Sequence, residues 1–362
     1  MMKDKLYIFF LGLSIFLCAC NGTQIAENML DESVLSDAKQ LKLDTIDLKG
    51  IDIPLAYQFY VYKDSILIVQ NRSRDGQSLI ELYDLGSKKL INKLLRFGRG
   101  HNEVLKCTSF VADGKLIVYD FQLNNLFNIN IDSVLSNKQY IPKAENVSGG
   151  IASPTYLDNQ PIMDNLCVFD DDNLNIHQKG RRLIFCKDNK VNQGQNYKFN
   201  TLNVNSGSLV IASPDHKKVM YASGHFPVME LYDNNLELLK AISGPNEFVV
   251  KYYIDDDNNE LIFDGSIPYT YGNYYCTSQE VGLLYYGTLV DVAKDELVNH
   301  NGWLLVFDWM GNLKKNYALG VHVRTISNST KWANTYYCCI LGKNKELYLC
   351  KAHESVSYTH LR

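Results

Sequence analysis

The sequence predicts an all-β protein, a six-bladed β-propeller. Three observations carry the prediction. A polar turn followed by a short strand recurs about every 50 residues. A second signature, an apolar–aromatic pair followed by Asp, recurs behind it. No long amphipathic helical stretch interrupts the pattern, and Tyr is abundant at 24 of 362 residues.

The unit is clearest at Asp113-Gly114, a tight-turn pair that feeds the branched and aromatic run Leu116 to Tyr119. Asp64-Ser65 leads in the same way into Ile66 to Val69, Asp164-Asn165 into Leu166 to Phe169, and Asp215-His216 into Val219 to Tyr221. Asp64, Asp113, Asp164 and Asp215 are spaced by 49, 51 and 51 residues, and Asn344, which leads into Leu347 to Leu349, follows after 129. That gap holds two enlarged units, the extra one read as Ser278-Gln279-Glu280 leading into Leu283 to Tyr286. The second signature stands at Leu82-Tyr83-Asp84, Leu231-Tyr232-Asp233 and Val306-Phe307-Asp308. After the last comes Trp309-Met310-Gly311-Asn312, with Gly where a hairpin needs a positive φ. A repeat of roughly 40–50 residues is the length of a propeller blade of about four strands. Such a meander cannot bury both faces alone, and stacking blades around an axis does so. A β-sandwich lacks a superposed period of this length.

Taken in order, Met1 to Cys20 reads as a targeting segment. Lys3 and Lys5 precede an apolar run, Leu6 to Leu17, too short to span a bilayer as a helix. Leu17-Cys18-Ala19-Cys20 resembles a bacterial lipobox, which places lipid on Cys20 and cleavage after residue 19. Residues 20–40 read as a polar tether, without a dense acidic run, and residues 41–355 as the propeller. Leu41 to Leu48 is positioned to supply a closing strand to a last blade that otherwise looks truncated. Val356 to Arg362 resembles the conceptual translation of a sequencing adapter, so residues 356–362 are read as non-native and the natural chain as continuing differently past Ser355.

Hydrophobic residues make up 46% of the chain, enough for a continuous inter-blade core. The formal net charge of −4 argues against nucleic acid or an anionic membrane surface as the main partner. Of nine cysteines, seven lie beyond the signal and lipobox, an odd number without regular spacing. They read as small buried apolar residues, with one bridge between Cys338 or Cys339 and Cys350 as an open alternative.

Ser213-Pro214-Asp215-His216-Lys217-Lys218-Val219-Met220-Tyr221 resembles the Ser-Pro-Asp-Gly-Lys-x-apolar-x-Tyr unit of TolB-type propellers, with His216 at the Gly position. Gly98-Arg99-Gly100-His101-Asn102-Glu103 resembles the Gly-x-Gly-Pro-x-Glu-Phe loop of six-bladed propeller lipoproteins common in Bacteroidetes, with His101 for Pro and Val104 for Phe. Gly244-Pro245-Asn246-Glu247-Phe248 is a partial second copy. With the lipobox, the chain resembles the TolB-like six-bladed β-propeller lipoprotein family of Bacteroidetes over residues 40–350. The resemblance implies a fold and a cell-envelope address but no reaction.

The residues themselves point to no chemistry. Gly-x-Ser-x-Gly, His-Glu-x-x-His, Cys-x-x-Cys and a phosphate-binding Gly-Lys-Ser/Thr loop are absent from the sequence. The eight histidines form no i,i+2 or i,i+4 pair, and Asp170–Asp172 and Asp255–Asp257 lack the spacing of a calcium loop. No catalytic residue, cofactor or metal site is therefore expected. Two readings of the glycine-rich loop stay open. Arg99, His101 and Asn102 are candidates to face a ligand. Gly100 and Glu103, with Gly244, Asn246 and Glu247 in the second copy, are candidates for a structural latch in which the carboxylate takes backbone N–H groups of a neighbouring blade. The aromatic stretch Tyr269 to Tyr275 fits either ligand stacking or strand packing.

The expected function is a lipid-anchored binding or assembly module of the cell envelope, outer-membrane bound, facing the periplasm, with a protein or glycan partner. Two alternatives are a hydrolase or lyase with its site in the central funnel and a ligand-sensing lipoprotein. Convergent acids and histidines at the mouth of the axis would favour the enzyme.

Overall fold

The structure, a computed structural model, describes residues 27–72, 76–100, 103–147, 152–157, 160–164, 183–185, 208–246, 252–255, 260–263, 266–290 and 300–355. The chain is a six-bladed β-propeller. It opens with β1 (Glu27–Met29), the short α1 (Ser33–Ser36) and β2 (Lys39–Thr45). Blade 1 comprises β3 (Ala56–Tyr62), β4 (Ile66–Asn71), β5 (Ser78–Asp84), β6 (Leu90–Phe97) and the two-residue β7 (Glu103–Val104). Blade 2 comprises β8 (Cys107–Ala112), β9 (Lys115–Asp120), β10 (Asn125–Asn130), then α2 (Ile131–Ser136) and β11 (Ala144–Asn146). Blade 3 shows β12 (Ala152–Leu157), β13 (Gln160–Asp164) and β14 (Leu183–Phe185). Blade 4 comprises β15 (Leu209–Ala212), β16 (Lys218–Ala222), β17 (Val228–Asp233) and β18 (Leu238–Ser243). A separate hairpin, β19 (Tyr252–Asp255) and β20 (Glu260–Phe263), follows. Blade 5 comprises β21 (Ile267–Cys276), β22 (Glu280–Val290), β23 (Trp303–Asp308) and β24 (Leu313–Ala318). Blade 6 comprises β25 (Val323–Asn328), β26 (Thr335–Leu341) and β27 (Leu347–Glu354).

The fourth strand of blade 6 is β2, from the other end of the chain. It pairs antiparallel with β27, from Leu41 opposite Glu354 to Thr45 opposite Cys350. The ring is thereby closed by hydrogen bonds between segments some 300 residues apart.

The two-residue side-chain period of a strand explains why blades stack. In β4, Ile66 and Ile68 pack toward blade 2, while Leu67 and Val69 pack toward blade 6. In β16, Met220 faces blade 5, while Val219 and Tyr221 face blade 3. In β22, Leu283 and Tyr285 face blade 4, and Leu284 and Tyr286 face blade 6. The core is therefore a series of apolar clusters between blades rather than one central mass. The cluster of Phe59, Val61, Tyr337, Cys339 and Leu349 seals blade 6 to blade 1.

The turns explain the sequence signatures. Asp113 and Gly114 both have positive φ, as do Lys63 and Asp64, the requirement of a type I′ hairpin. His216, at the family's Gly position, has φ +55°. The Asp after each apolar–aromatic pair holds the next turn with its carboxylate: Asp84 accepts from Ser87 N at 2.6 Å, Asp233 from Asn235 N and Glu237 N at 2.8 Å, and Asp308 from Met310 N and Asn312 N at 2.9 Å. In blades 1 and 4 the Tyr before that Asp donates to a buried Glu two residues back, Tyr83 to Glu81 and Tyr232 to Glu230.

Asp164 ends β13, and the strand expected after it, Leu166 to Phe169, lies outside the described residues. Asn344 leads into β27 as expected, in the second-to-third connection of blade 6, one strand later in its blade than Asp64, Asp113 and Asp215 in theirs. The bridge at Cys350 is not formed: Cys338 and Cys350 face each other across β26 and β27, and both are free thiols within the apolar core. Residues 1–26, with Cys20, and 356–362 lie outside the described residues.

Candidate functional site

The innermost strands β3, β8, β12, β15, β21 and β25 begin their blades, and β3, β21 and β25 run side by side in one direction along the axis. Side chains tie them together: Thr325 Oγ1 donates to the Phe59 carbonyl, Val61 N to Ser327 Oγ at 3.2 Å, and Ile326 N to Asn273 Oδ1 at 3.1 Å. Next to them, Gln58 donates to Gln70 Oε1 at 2.6 Å and Tyr60 to the Ser109 carbonyl at 2.6 Å, joining β3 to β8. Buried polar groups are satisfied here by one another, as burial requires.

The two ends of this bundle differ. At the end where the strands finish, turns are stapled together. Asp64 accepts from Ser329 Oγ at 2.5 Å, Thr330 N at 2.9 Å, Thr330 Oγ1 at 2.6 Å and Tyr337 Oη at 3.0 Å, linking blade 1 to blade 6. Lys218 and Lys240 reach from blade 4 to the Trp309 and Gly311 carbonyls of blade 5.

At the end where the strands begin, aromatic and basic groups gather. The Arg324 guanidinium stacks on the Tyr57 ring, its Cζ 3.7 Å from the centroid. Tyr269 stacks on Tyr286 at 4.4 Å, and the His322 ring stacks on Tyr286 at 4.9 Å. Gly272 makes room for this stack, since a Cβ there would lie 2.6 Å from Tyr269 Oη and 2.8 Å from Tyr286 Cε2. Burial, then Arg324, then His300 push the His322 imidazole down to about 4, so it is neutral near pH 7. Burial pushes Tyr269 up to about 12. A groove of about 400 Å³ opens on the same face between blades 6 and 1, lined by Ile53, Leu55, Phe59, Arg72, Lys345 and Leu347.

The glycine-rich loop joins blade 1 to blade 2 on this face. Glu103 folds back within its own loop: Gly100 N donates to Glu103 Oε2 at 2.5 Å and Glu103 N to the Gly100 carbonyl at 3.1 Å. The carboxylate thus holds its own loop, not a backbone N–H of the neighbouring blade. A Cβ on Gly98 would overlap Glu103 Oε2. The closed loop sets β7 parallel to β6 and buries Val104 between blades 1 and 2. Arg99 is exposed; His101 and Asn102 lie outside the described residues.

The second copy shares this role with a different strand. There β1 runs parallel to β18, and Leu30 N donates to the Ser243 carbonyl at 2.8 Å. Gly244, at φ +93°, leaves room for the Leu30 carbonyl, 2.5 Å from where a Cβ would stand. Gly244 N donates to the Pro227 carbonyl at 2.9 Å. Asn246 is half-buried, and Glu247 lies outside the described residues.

Of the aromatic stretch, Tyr271, Tyr274 and Tyr275 are core residues, and only Tyr269 reaches the mouth. Among the described residues no group of His, Cys, Asp and Glu comes together that could hold a metal ion. Tyr57, His322 and Arg324 were not singled out by the sequence. The signal was the alternation Val321-His322-Val323-Arg324-Thr325, which sets His322 and Arg324 two residues apart where an inner strand begins.

Residues 37–331 match the TolB-like 6-blade propeller-like family. The chain belongs to that family. Among solved structures, a member of the DUF4221 family from Bacteroides vulgatus is similar over 87% of this chain and 96% of its own, at 7% identity and a TM-score of 0.51. A protein of Bacteroides fragilis, named as a candidate exported protein, covers 91% of this chain and 99% of its own, at 10% identity and a TM-score of 0.49. None of the curated proteins matches the chain. This TolB-like propeller therefore shares a fold with the Bacteroides vulgatus protein.

Proposed function

We propose that this protein is a lipid-anchored binding or assembly module of the cell envelope, engaging a protein or glycan partner through the face on which its inner strands begin. One observation carries the reading. That face holds the groove, the glycine-rich loop with Arg99 and the aromatic–basic mouth, whereas on the opposite face Asp64, Lys218 and Lys240 tie the turns of neighbouring blades to one another. Beside Tyr269 and His322 stands the Arg324 guanidinium, which can pair with a ligand and does not exchange protons near pH 7. His101 and Asn102 join Arg99 as contact residues in this reading. The envelope address rests on the lipobox at Cys20.

The test is a pull-down of the native protein from its own membranes beside two charge reversals. Arg72→Glu, on the binding face, is expected to lose the partner. Lys331→Glu, on the opposite face, is expected to keep it. Equal recovery with both variants contradicts the reading.

A further inference from the structure

We propose that the mouth of the propeller axis binds a carboxylate-bearing saccharide unit, a uronic or sialic acid residue, with Arg324 taking the carboxylate and Tyr57 and His322 beside it. The inference rests on the binding-module reading and gives it a ligand chemistry.

Arg324 is half-buried and stacked on Tyr57, and it makes no hydrogen bond or ion pair with any described residue. A guanidinium withdrawn from water is normally matched by a carboxylate or by carbonyl oxygens. Here the ring fixes the plane of the group and leaves its N–H fork uncommitted, the arrangement that takes a carboxylate bidentately. His322 gives a second, independent sign. It is 5% exposed, and its Nδ1 is buried without a partner. Burial and Arg324 keep the imidazole neutral near pH 7, so it adds no charge beside the guanidinium.

The surroundings favour a saccharide over a peptide. Peptides are commonly held by pairing with a free strand edge. Along the inner strands, Thr325, Ser327 and Asn273 already occupy the Phe59 carbonyl and the Val61 and Ile326 N–H groups. Those backbone groups are not free to pair with an added peptide strand. Below the mouth, Gln58, Tyr60, Gln70 and Ser109 fill the space beside β3 with mutual hydrogen bonds. Tyr57, 38% exposed, offers the apolar ring surface against which sugar C–H faces pack.

The test is calorimetric titration of the full-length protein in detergent with tri-galacturonate and 3′-sialyllactose, beside tri-galacturonate methyl ester, lactose and a tripeptide with a free C-terminus. At least one acidic sugar is expected to bind at least tenfold more tightly than its neutral counterpart and than the tripeptide. Arg324→Gln is expected to abolish that preference with an unchanged melting temperature, and Arg324→Lys to retain part of it. Failure of both acidic sugars to bind, equal binding of acid and neutral forms, preference for the tripeptide, or an undiminished acid preference in folded Arg324→Gln overturns the inference. Should Arg324→Gln not fold, the acid-against-neutral comparison on the natural sequence decides. Loss of partner recovery in Arg72→Glu, independent of these sugars, would leave the broader reading standing when this one fails.

Discussion

Asp64 takes two hydrogen bonds from Thr330, one from the backbone N–H and one from the hydroxyl, across 266 positions of sequence. With Ser329 and Tyr337 it joins the first hairpin of blade 1 to the first connection of blade 6, the seam at which the ring closes. Burial alone would raise the Asp64 carboxyl, but these donors outweigh it and hold it below its usual value. Asp64→Ala should cost about 1–2 kcal/mol in urea unfolding, with Asp64→Asn in between. Because the folded value is lowered, the contribution is complete above the ordinary carboxylate range and disappears as pH falls through the folded value. Equal unfolding midpoints for Asp64→Ala and the natural protein at pH 7 contradict the staple.

His322 sets a second pH dependence. Its folded value of about 4 lies below the ordinary 6.5, so between these values the unfolded chain binds the proton more readily. Stability from this group is complete above pH 6.5 and declines toward pH 4, by roughly 3 kcal/mol in all. His322→Phe, which keeps a ring against Tyr286, should flatten the change in unfolding free energy between pH 7 and pH 5. A slope unchanged by that substitution contradicts the assignment.

The glycine-rich loop separates structure from contact. Glu103→Ala removes the acceptor of Gly100 N–H and should lower stability by about 1 kcal/mol. Arg99→Ala and His101→Ala should leave the melting temperature unchanged while weakening partner recovery. A Glu103→Ala variant as stable as the natural protein removes the latch, and undiminished recovery with Arg99→Ala and His101→Ala removes the contact role.

Gly272 tests the aromatic mouth. Gly272→Ala must displace Tyr269 or Tyr286, a rearrangement of well-packed rings that costs about 1–3 kcal/mol. Near-UV circular dichroism should change together with the melting temperature; an unchanged spectrum contradicts the close packing.

The fold was legible because its signals are local. Asp113-Gly114 announces its hairpin by turn chemistry, and Leu231-Tyr232-Asp233 announces a strand ending in a carboxylate-held turn. The phase of the repeat was less legible. Asn344 is the same kind of turn residue at another connection of its blade, and composition alone does not number the strands of a meander. The closing strand was visible as the alternation of Leu41 and Leu43 with polar residues. The mouth was the least legible part. Tyr57, Tyr269, His322 and Arg324 come from three blades, and only the closed ring brings them together. The loop at Gly98 to Glu103 was legible as a feature, but that Glu103 serves its own loop depends on a backbone path no residue pattern specifies.

The most direct measurement is photo-crosslinking in intact cells from a reactive side chain placed at position 72, beside the groove, and separately at position 310, where Met310 is 62% exposed on the opposite face. The account predicts envelope adducts from position 72 that disappear when Cys20→Ser releases the protein from the membrane, and none from position 310. Adducts from position 310 alone, or from both positions in equal yield, would contradict it.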